Sequence, residues 1–200
     1  MNRIQKPYAA SCDENRDPIL EVIAPLLADV RKVLEIGSGT GQHAVYFAGR
    51  MPHLTWQTSD VAQAHQGIRL WIEDAGVRNV LPPLALDVAG AWPEGAWEAI
   101  FSANTVHIMS WPAVEAMFRG VAAALLPGGR FLLYGPLNYA GRYTSESNAR
   151  FDAWLKDRDP RSGVRNFEDL DSLARDHGMT LVRDYAMPVN NRLLHWQRAV

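Results

Sequence analysis

Three carboxylates and a run of glycines are the residues whose types and spacing could do chemistry. Glu35 lies in an apolar run, Val33-Leu34-Glu35-Ile36. Gly37, Gly39 and Gly41 follow at alternate positions, with Ser38 and Thr40 between them. Glycine permits dihedrals and close backbone approaches that a Cβ would block. The next residues, Gln42-His43-Ala44-Val45-Tyr46-Phe47-Ala48, have helical spacing, and free N–H groups at a helix start favour electron-rich or anionic ligand groups. This order of strand, acid, glycine turn and helix builds one half of a nucleoside cofactor site. A carboxylate at Glu35 repels a pyrophosphate and suits an ammonium. The spacing G-x-G-x-G also departs from the dinucleotide fingerprint G-x-G-x-x-G, which disfavours an NAD-dependent oxidoreductase. Asp60 lies 25 residues beyond Glu35, close to the spacing at which an acid meets ribose hydroxyls. A carboxylate there can accept from both hydroxyls. Asp87 is the third such acid. Any one of the three alone is more often a cap or a loop carboxylate; three in succession after one glycine turn argue for a site.

The elements that must position them alternate. Asp17-Pro18 is expected to start a first helix after an irregular segment over residues 1–15, since Asp caps and Pro fits the first turn. Strands are expected at 32–36, 55–58, 84–86, 99–103 and 130–134. Helices are expected between them at 41–50, 62–75 and 112–125, with Pro127-Gly128-Gly129 turning the chain into the fifth strand. A parallel sheet with helices on both faces follows from this alternation. Residues 135–160 break the rhythm and contain a helix at 147–158; long connections in compact domains are usually functional. A helix at 166–177 and an antiparallel pair at 181–186 and 192–197 complete the chain. Ligands in such sheets bind outside the carboxyl ends of the strands, where Glu35, Asp60 and Asp87 all fall.

These segments resemble class I S-adenosylmethionine-dependent methyltransferases over about residues 31–134. Val33-Leu34-Glu35-Ile36-Gly37-Ser38-Gly39-Thr40-Gly41 looks like their motif I, and Leu84-Ala85-Leu86-Asp87-Val88 like the segment that meets adenine. The Pro-Gly-Gly turn also looks like theirs. The resemblance implies a Rossmann-like α/β fold, a seven-stranded methyltransferase sheet that is mostly parallel with an antiparallel last strand. It implies S-adenosyl-L-methionine as cofactor, with Glu35, Gly37, Ser38, Gly39, Gly41, His43, Asp60, Asp87, Val88 and Asn104 around it. Asp87 would accept from the adenine amine and Val88 would pack on the ring. A narrower resemblance spans nearly the whole chain. Cys12 to Leu20, Gly41-Gln42-His43, Trp56 to Asp60, Ser145 to Asn148, Arg158-Asp159-Pro160 and Met187 to Asn191 are similar to the methyltransferase-like domain-of-unknown-function family 938, which implies nothing secure about the acceptor. Residues 1–200 are then one domain, with residues 1–17 as an N-terminal cap segment and 135–165 as an insertion near the acceptor pocket.

In this fold the end of the fourth strand, Ser102-Ala103-Asn104-Thr105-Val106-His107, points at the transferring methyl. Asn104 would orient an acceptor or hold the cofactor's amino group. His107 serves either as a base, with an ordinary pKa of about 6.5, or as a residue packed under Trp111. The segment lacks the Asn/Asp-Pro-Pro-Tyr/Phe of enzymes that methylate nucleic-acid bases. Asn138, Tyr139 and Tyr143 are expected to wall the acceptor pocket, with Tyr139 a candidate catalytic residue, although each can equally be a packing residue. Asn15 and Arg16 are expected on a lid, where Arg16 would bind an acceptor carboxylate or form a surface ion pair. His43 reads as a cofactor neighbour or helix-start residue. No metal site is expected: the six histidines lack ligand spacing, and Cys12 is the only cysteine.

Two hundred residues suit one domain with a sizeable core. A net charge of −2 and a charged content of 21% point to no nucleic-acid or membrane partner. No stretch approaches a membrane span or a secretory leader, so the expectation is a cytoplasmic enzyme acting on a small molecule, and a homodimer is compatible with it. A protein methyltransferase and a non-catalytic cofactor-binding module are the alternatives.

Overall fold

The computed structural model describes residues 6–200. In chain order the elements are α1 (Ala10–Leu26), β1 (Lys32–Ile36), α2 (Gln42–Arg50), β2 (Thr55–Asp60), α3 (His65–Ala75), β3 (Val80–Ala85), β4 (Trp97–Ala103), α4 (Trp111–Ala124) and β5 (Leu125–Tyr139). They continue as β6 (Arg142–Tyr143), α5 (Glu146–Arg158), β7 (Arg165–Asn166), α6 (Phe167–Asp176), β8 (Met179–Met187) and β9 (Asn191–Arg198). The main sheet runs β3-β2-β1-β4-β5-β9-β8, and the two-residue strands β6 and β7 pair with the far end of β5. β3 to β5 are mutually parallel, and the last strand, β9, is antiparallel to both its neighbours. This is the expected seven-stranded sheet, widened by β6 and β7.

The sheet is buried on both sides, as parallel sheets with βα crossovers are. Ile19, Ile23, Phe47, Trp56 and Phe101 pack under α1 and α2 on one face. Ile100, Val114, Phe118, Phe131, Leu170 and Trp196 pack under α4 and α6 on the other. Alternation along β4 divides the faces: Ile100 goes to one and Phe101 to the other.

Several boundaries differ from the sequence expectation. The first helix starts at Ala10, before Asp17-Pro18, and carries both Pro18 and Pro25 inside it. Expected irregularity over 1–15 falls partly on residues 1–5, outside the described residues. Contacts with α2 hold the added turns: the Ala9 N–H donates to Gln42 Oε1 at 2.7 Å, and Gln42 Nε2 donates to the Ala9 carbonyl at 3.2 Å. β3 begins at Val80 and contains Pro82 and Pro83. It tolerates them because it is an edge strand. Side chains of β2 cover the carbonyls there, Gln57 Nε2 donating to Pro82 O at 2.7 Å and Thr58 Oγ1 to Leu81 O at 2.8 Å. β5 absorbs the Pro-Gly-Gly turn as a bulge, pairing Leu125 with Trp97 and then Arg130 with Ala99. At its other end it continues through Gly135–Tyr139, the first residues of the expected insertion. α5 starts where Ser145 Oγ accepts the Asn148 N–H at 3.1 Å, a side-chain cap.

Candidate functional site

The glycine turn joins β1 to α2. Gly37, Gly39 and Gly41 all have positive φ, at 71°, 57° and 92°, where L side chains are strained. Gly37 has a second reason to be glycine: a Cβ there would lie 2.5 Å from Thr105 Cγ2. Thr105 is fixed in turn by its hydroxyl, 2.7 Å from Ser102 Oγ, which donates to Ile36 O at 2.8 Å. The ends of β1 and β4 are thereby tied together under the turn. The Gly37 and Ser38 N–H groups both donate to Ser59 O at 3.0 Å.

Asp60 ends β2 beside this turn. Its Oδ2 accepts the Gly39 N–H and its Oδ1 the Val61 N–H, each at 2.7 Å. The two backbone donors fix the carboxylate plane and leave further lone pairs on each oxygen. Asp60 lines a cleft of about 180 Å³ together with Gly37, Asp87, Val88, Met109 and Ala113. Asp87 lies in the loop after β3, its Oδ1 accepting from the Ala89 N–H at 3.0 Å. An anionic rim with Val88 and Met109 as apolar walls suits a ring carrying an amine.

A larger cavity of about 460 Å³ opens where α1, the loop after β4, α5 and the β8–β9 turn converge. Asn15, Asn104 and His107 line it as expected residues, and Glu14, Tyr134, Asn148, Phe151 and Asn191 line it as well. Asn104 has φ 59°, the left-handed conformation that Asn tolerates better than most. Its N–H donates to Tyr134 O at 2.9 Å. A Cβ on Gly135 would stand 3.7 Å from His107 Nδ1 and 3.9 Å from Asn104 Oδ1, so both side chains meet over that glycine. His107 is 4% exposed. Its Nδ1 is buried without a partner among the described residues. Burial first, and the Arg165 charge second, push this imidazole down to about 4, which keeps it neutral at pH 7. Phe151 meets the ring edge-on, centroids 5.2 Å apart. Burial pushes the Tyr134 hydroxyl up to about 12, with Asn15 and Asn191 beside it.

Other expected site residues lie elsewhere. The Glu35 carboxylate lines neither cleft. It is 2% exposed. Its Oε2 accepts from Ser38 Oγ at 2.7 Å and Trp56 Nε1 at 3.2 Å, so it braces the turn from beneath. Burial pushes it up to about 7, against the lowering effect of those two donors. His43 stacks on Phe47 at 5.1 Å and its Nε2 lies 2.7 Å from Asn15 Oδ1, joining α1 to α2. Arg16 sits over the Tyr46 ring at 4.5 Å and pairs with Asp13. The Tyr139 hydroxyl donates to Asp184 Oδ2 at 2.6 Å, with Arg192 on the same carboxylate at 2.7 Å. The Tyr143 hydroxyl donates to Asp152 at 2.6 Å, and Asn138 Nδ2 to Val164 O at 3.4 Å. None of Arg16, Asn138, Tyr139 and Tyr143 lines the larger cavity.

Sequence reasoning missed Glu14, Phe151 and Arg165. The signal for Glu14 was its place with Ser11, Asn15 and Pro18 on one helical stripe, which the late start assigned to the first helix concealed. Arg165 acts from outside the cavity. Its guanidinium donates to Val106 O at 3.0 Å and also reaches Met109 O, and the Gly163 N–H donates to His107 O at 2.8 Å. The segment after α5 therefore clamps the loop that carries His107.

A family model described as "Protein of unknown function (DUF938)" matches residues 6–198. Among solved structures, an O-methyltransferase family protein from Burkholderia thailandensis superposes with a TM-score of 0.82 at 19% identity, covering 92% of this chain and 56% of that one. The S-adenosylmethionine-dependent methyltransferase SibL gives 0.82 at 24%, covering 96% and 56%. Human N-acetylserotonin methyltransferase, solved with S-adenosylmethionine, gives 0.78 at 14%, covering 95% and 53%. The chain thus spans about half the length of these proteins and shares their fold.

Proposed function

Because the chain belongs to the family described as a protein of unknown function (DUF938) and has the fold of the class I methyltransferases, we propose that it transfers a methyl group from S-adenosyl-L-methionine to a small-molecule acceptor. The observation that carries this reading is one rim. The positive-φ glycine turn, Asp60 and Asp87–Val88 share a cleft, and the Asn104–His107 loop beyond them lines a second, larger cavity. The residues fit the cofactor: Asp60 has acceptor capacity for ribose hydroxyls, Asp87 for an adenine amine, and Val88 and Met109 offer apolar contact to the ring. Gly37, having no Cβ, lets the turn pack directly against Thr105.

When bound, S-adenosylmethionine would supply an electrophilic sulfonium methyl to an acceptor lone pair, the carbon–sulfur electron pair staying with sulfur. This chain's own residues position and deprotonate. Asn104 offers a carboxamide to orient the acceptor or the cofactor's amino group. His107 is neutral and so can accept a proton. Its low proton affinity suffices for a hydroxyl acceptor, because an oxygen that has just taken a methyl is an oxonium and loses its proton readily. Walls from α1, α5 and the β8–β9 turn surround the acceptor on three sides.

Calorimetric titration with S-adenosylmethionine, S-adenosylhomocysteine and NAD tests the cofactor. Binding of the first two and not the third is the expected result; binding of NAD alone, or silence from all three, rejects the proposal. Labelled-methyl incorporation in a lysate then tests the acceptor. Counts are expected in the small-molecule fraction, and counts in the protein fraction would favour a protein methyltransferase.

A further inference from the structure

Among the described residues the larger cavity carries one side chain of fixed charge on its walls, the Glu14 carboxylate, and no lysine or arginine. Nearby basic groups pair elsewhere: Arg16 with Asp13 through Nη1, its Nε being buried without a partner among the described residues, Arg192 with Asp184, and Arg165 with backbone carbonyls. Among the described residues Glu14 forms no ion pair and no side-chain hydrogen bond, although Tyr8, Asp13 and Arg16 on the same segment do. Among the described residues His107 adds an unpartnered, buried Nδ1, and its ring and that of Phe151 both line the cavity at 73° to one another, with Trp154 stacked on Phe151.

We infer that this cavity takes a small ring compound that is neutral or cationic, with Glu14 selecting for positive charge and Phe151 and His107 for the ring. The identity of that compound as methyl acceptor rests on the function proposed above; the charge and ring preference rests on the cavity itself. An anion entering here would leave water for walls that offer no cation, and would face a carboxylate. A cation would gain both the carboxylate and the aromatic face of Phe151. Neutral phenols and amines would find carboxamides from Asn15, Asn104, Asn148 and Asn191 that can both donate and accept.

Three probes share one phenol ring and differ in charge: tyramine, 4-ethylphenol and 4-hydroxyphenylacetate. Each is titrated calorimetrically into the full chain and into Glu14→Gln, with and without S-adenosylhomocysteine. Tyramine is expected to bind about tenfold tighter than the carboxylate probe, with 4-ethylphenol between them. Glu14→Gln is expected to weaken tyramine about fivefold, as befits an ion pair open to solvent on one side, and to leave 4-ethylphenol and S-adenosylhomocysteine within about twofold. Tighter binding of the carboxylate probe overturns the inference, as does failure of all three to bind. So does a loss in Glu14→Gln confined to S-adenosylhomocysteine, which would assign the carboxylate to the cofactor's ammonium. If S-adenosylhomocysteine does not bind while the charge order holds, the proposed function falls and the cavity assignment stands.

Discussion

Asp60 and Glu35 are both acids at strand ends, and their environments give them different work. Asp60 is held by two backbone N–H groups at the mouth of a cleft and keeps its charge available to a ligand. Asp60→Ala should weaken S-adenosylmethionine by at least about tenfold, since a charge-assisted pair is lost along with the brace on Gly39. Asp87→Ala should weaken it too. Calorimetry checks both, and unchanged affinity in the pair would show that the cofactor lies elsewhere. Glu35 is buried, with a folded pKa of about 7 against an ordinary 4.5. Between those values the native state holds a proton that the unfolded chain has released, so its stabilising contribution is full below about pH 4.5 and is lost as pH rises through 7. Glu35→Gln keeps an acceptor for Ser38 and Trp56 and removes the charge. At pH 8 urea unfolding should find this variant more stable by up to about 3 kcal/mol, and an unchanged or lower midpoint would mean the ionised carboxylate is better solvated than its burial implies.

At the scale of elements, the loop after β4 depends on the segment that follows α5. Arg165 serves the carbonyls of Val106, Met109 and Arg161, and its charge contributes to the low proton affinity of His107. Arg165→Met should leave those carbonyls without their donor, at a cost of about 1–3 kcal/mol. It should also move the His107 imidazole upward from about 4 toward the ordinary range, readable by NMR titration of the ring protons. A destabilised variant with an unmoved His107 would mean that burial alone sets the ring. The insertion thus acts on the site through these backbone contacts and through the Asn148 and Phe151 side chains that line the cavity. Its tyrosine, Tyr143, is occupied by Asp152. The β8–β9 turn is the other element pressed on the cavity. Val189 there has φ 57° and is 79% exposed, a rare conformation for a β-branched residue and a sign of local strain. Val189→Gly should relieve that strain and raise stability by about 1 kcal/mol, as measured by denaturant midpoint.

For the molecule as a whole, buried ionisable groups set the response to acid. His43, His107 and His195 are each 7% exposed or less, and burial holds each down to about 4. For these rings the unfolded chain binds more protons than the native state between about pH 6.5 and 4. Their contribution is therefore present above 6.5 and lost as pH falls. Glu35 works in the opposite sense over pH 7 to 4.5. Three rings outweigh one carboxyl, so unfolding free energy should fall by on the order of 3 kcal/mol from pH 7 to pH 5. Denaturant melts at the two pH values check this; equal stability would mean that at least two of the rings are hydrated in the native state.

What the sequence determined by itself is the frame. Short apolar runs and period-3.6 segments, together with the glycine turn, fix β1 to the residue and the alternation that yields a parallel sheet, because those signals are local and survive in one dimension. That Asp60 and Asp87 would lie at one edge of the sheet was legible because strand ends in this architecture converge there, and the resemblance to methyltransferases pointed to Val88, Asn104 and His107, which line the same two clefts. Tertiary structure alone decided which side chains reach the clefts. Glu35 turns under the glycines to Ser38 and Trp56, and Tyr139 turns to Asp184 and Arg192. A side chain's direction depends on partners far away along the chain. Pro18 hid the first turns of α1 and Pro82-Pro83 the first half of β3, because contacts with α2 and β2, such as Ala9 with Gln42 and Gln57 with the Pro82 carbonyl, hold residues that local sequence reads as loop. Glu14, Phe151 and Asn191 come from α1, α5 and β9; no spacing in the sequence links them, and only the closure of the fold sets them around one cavity.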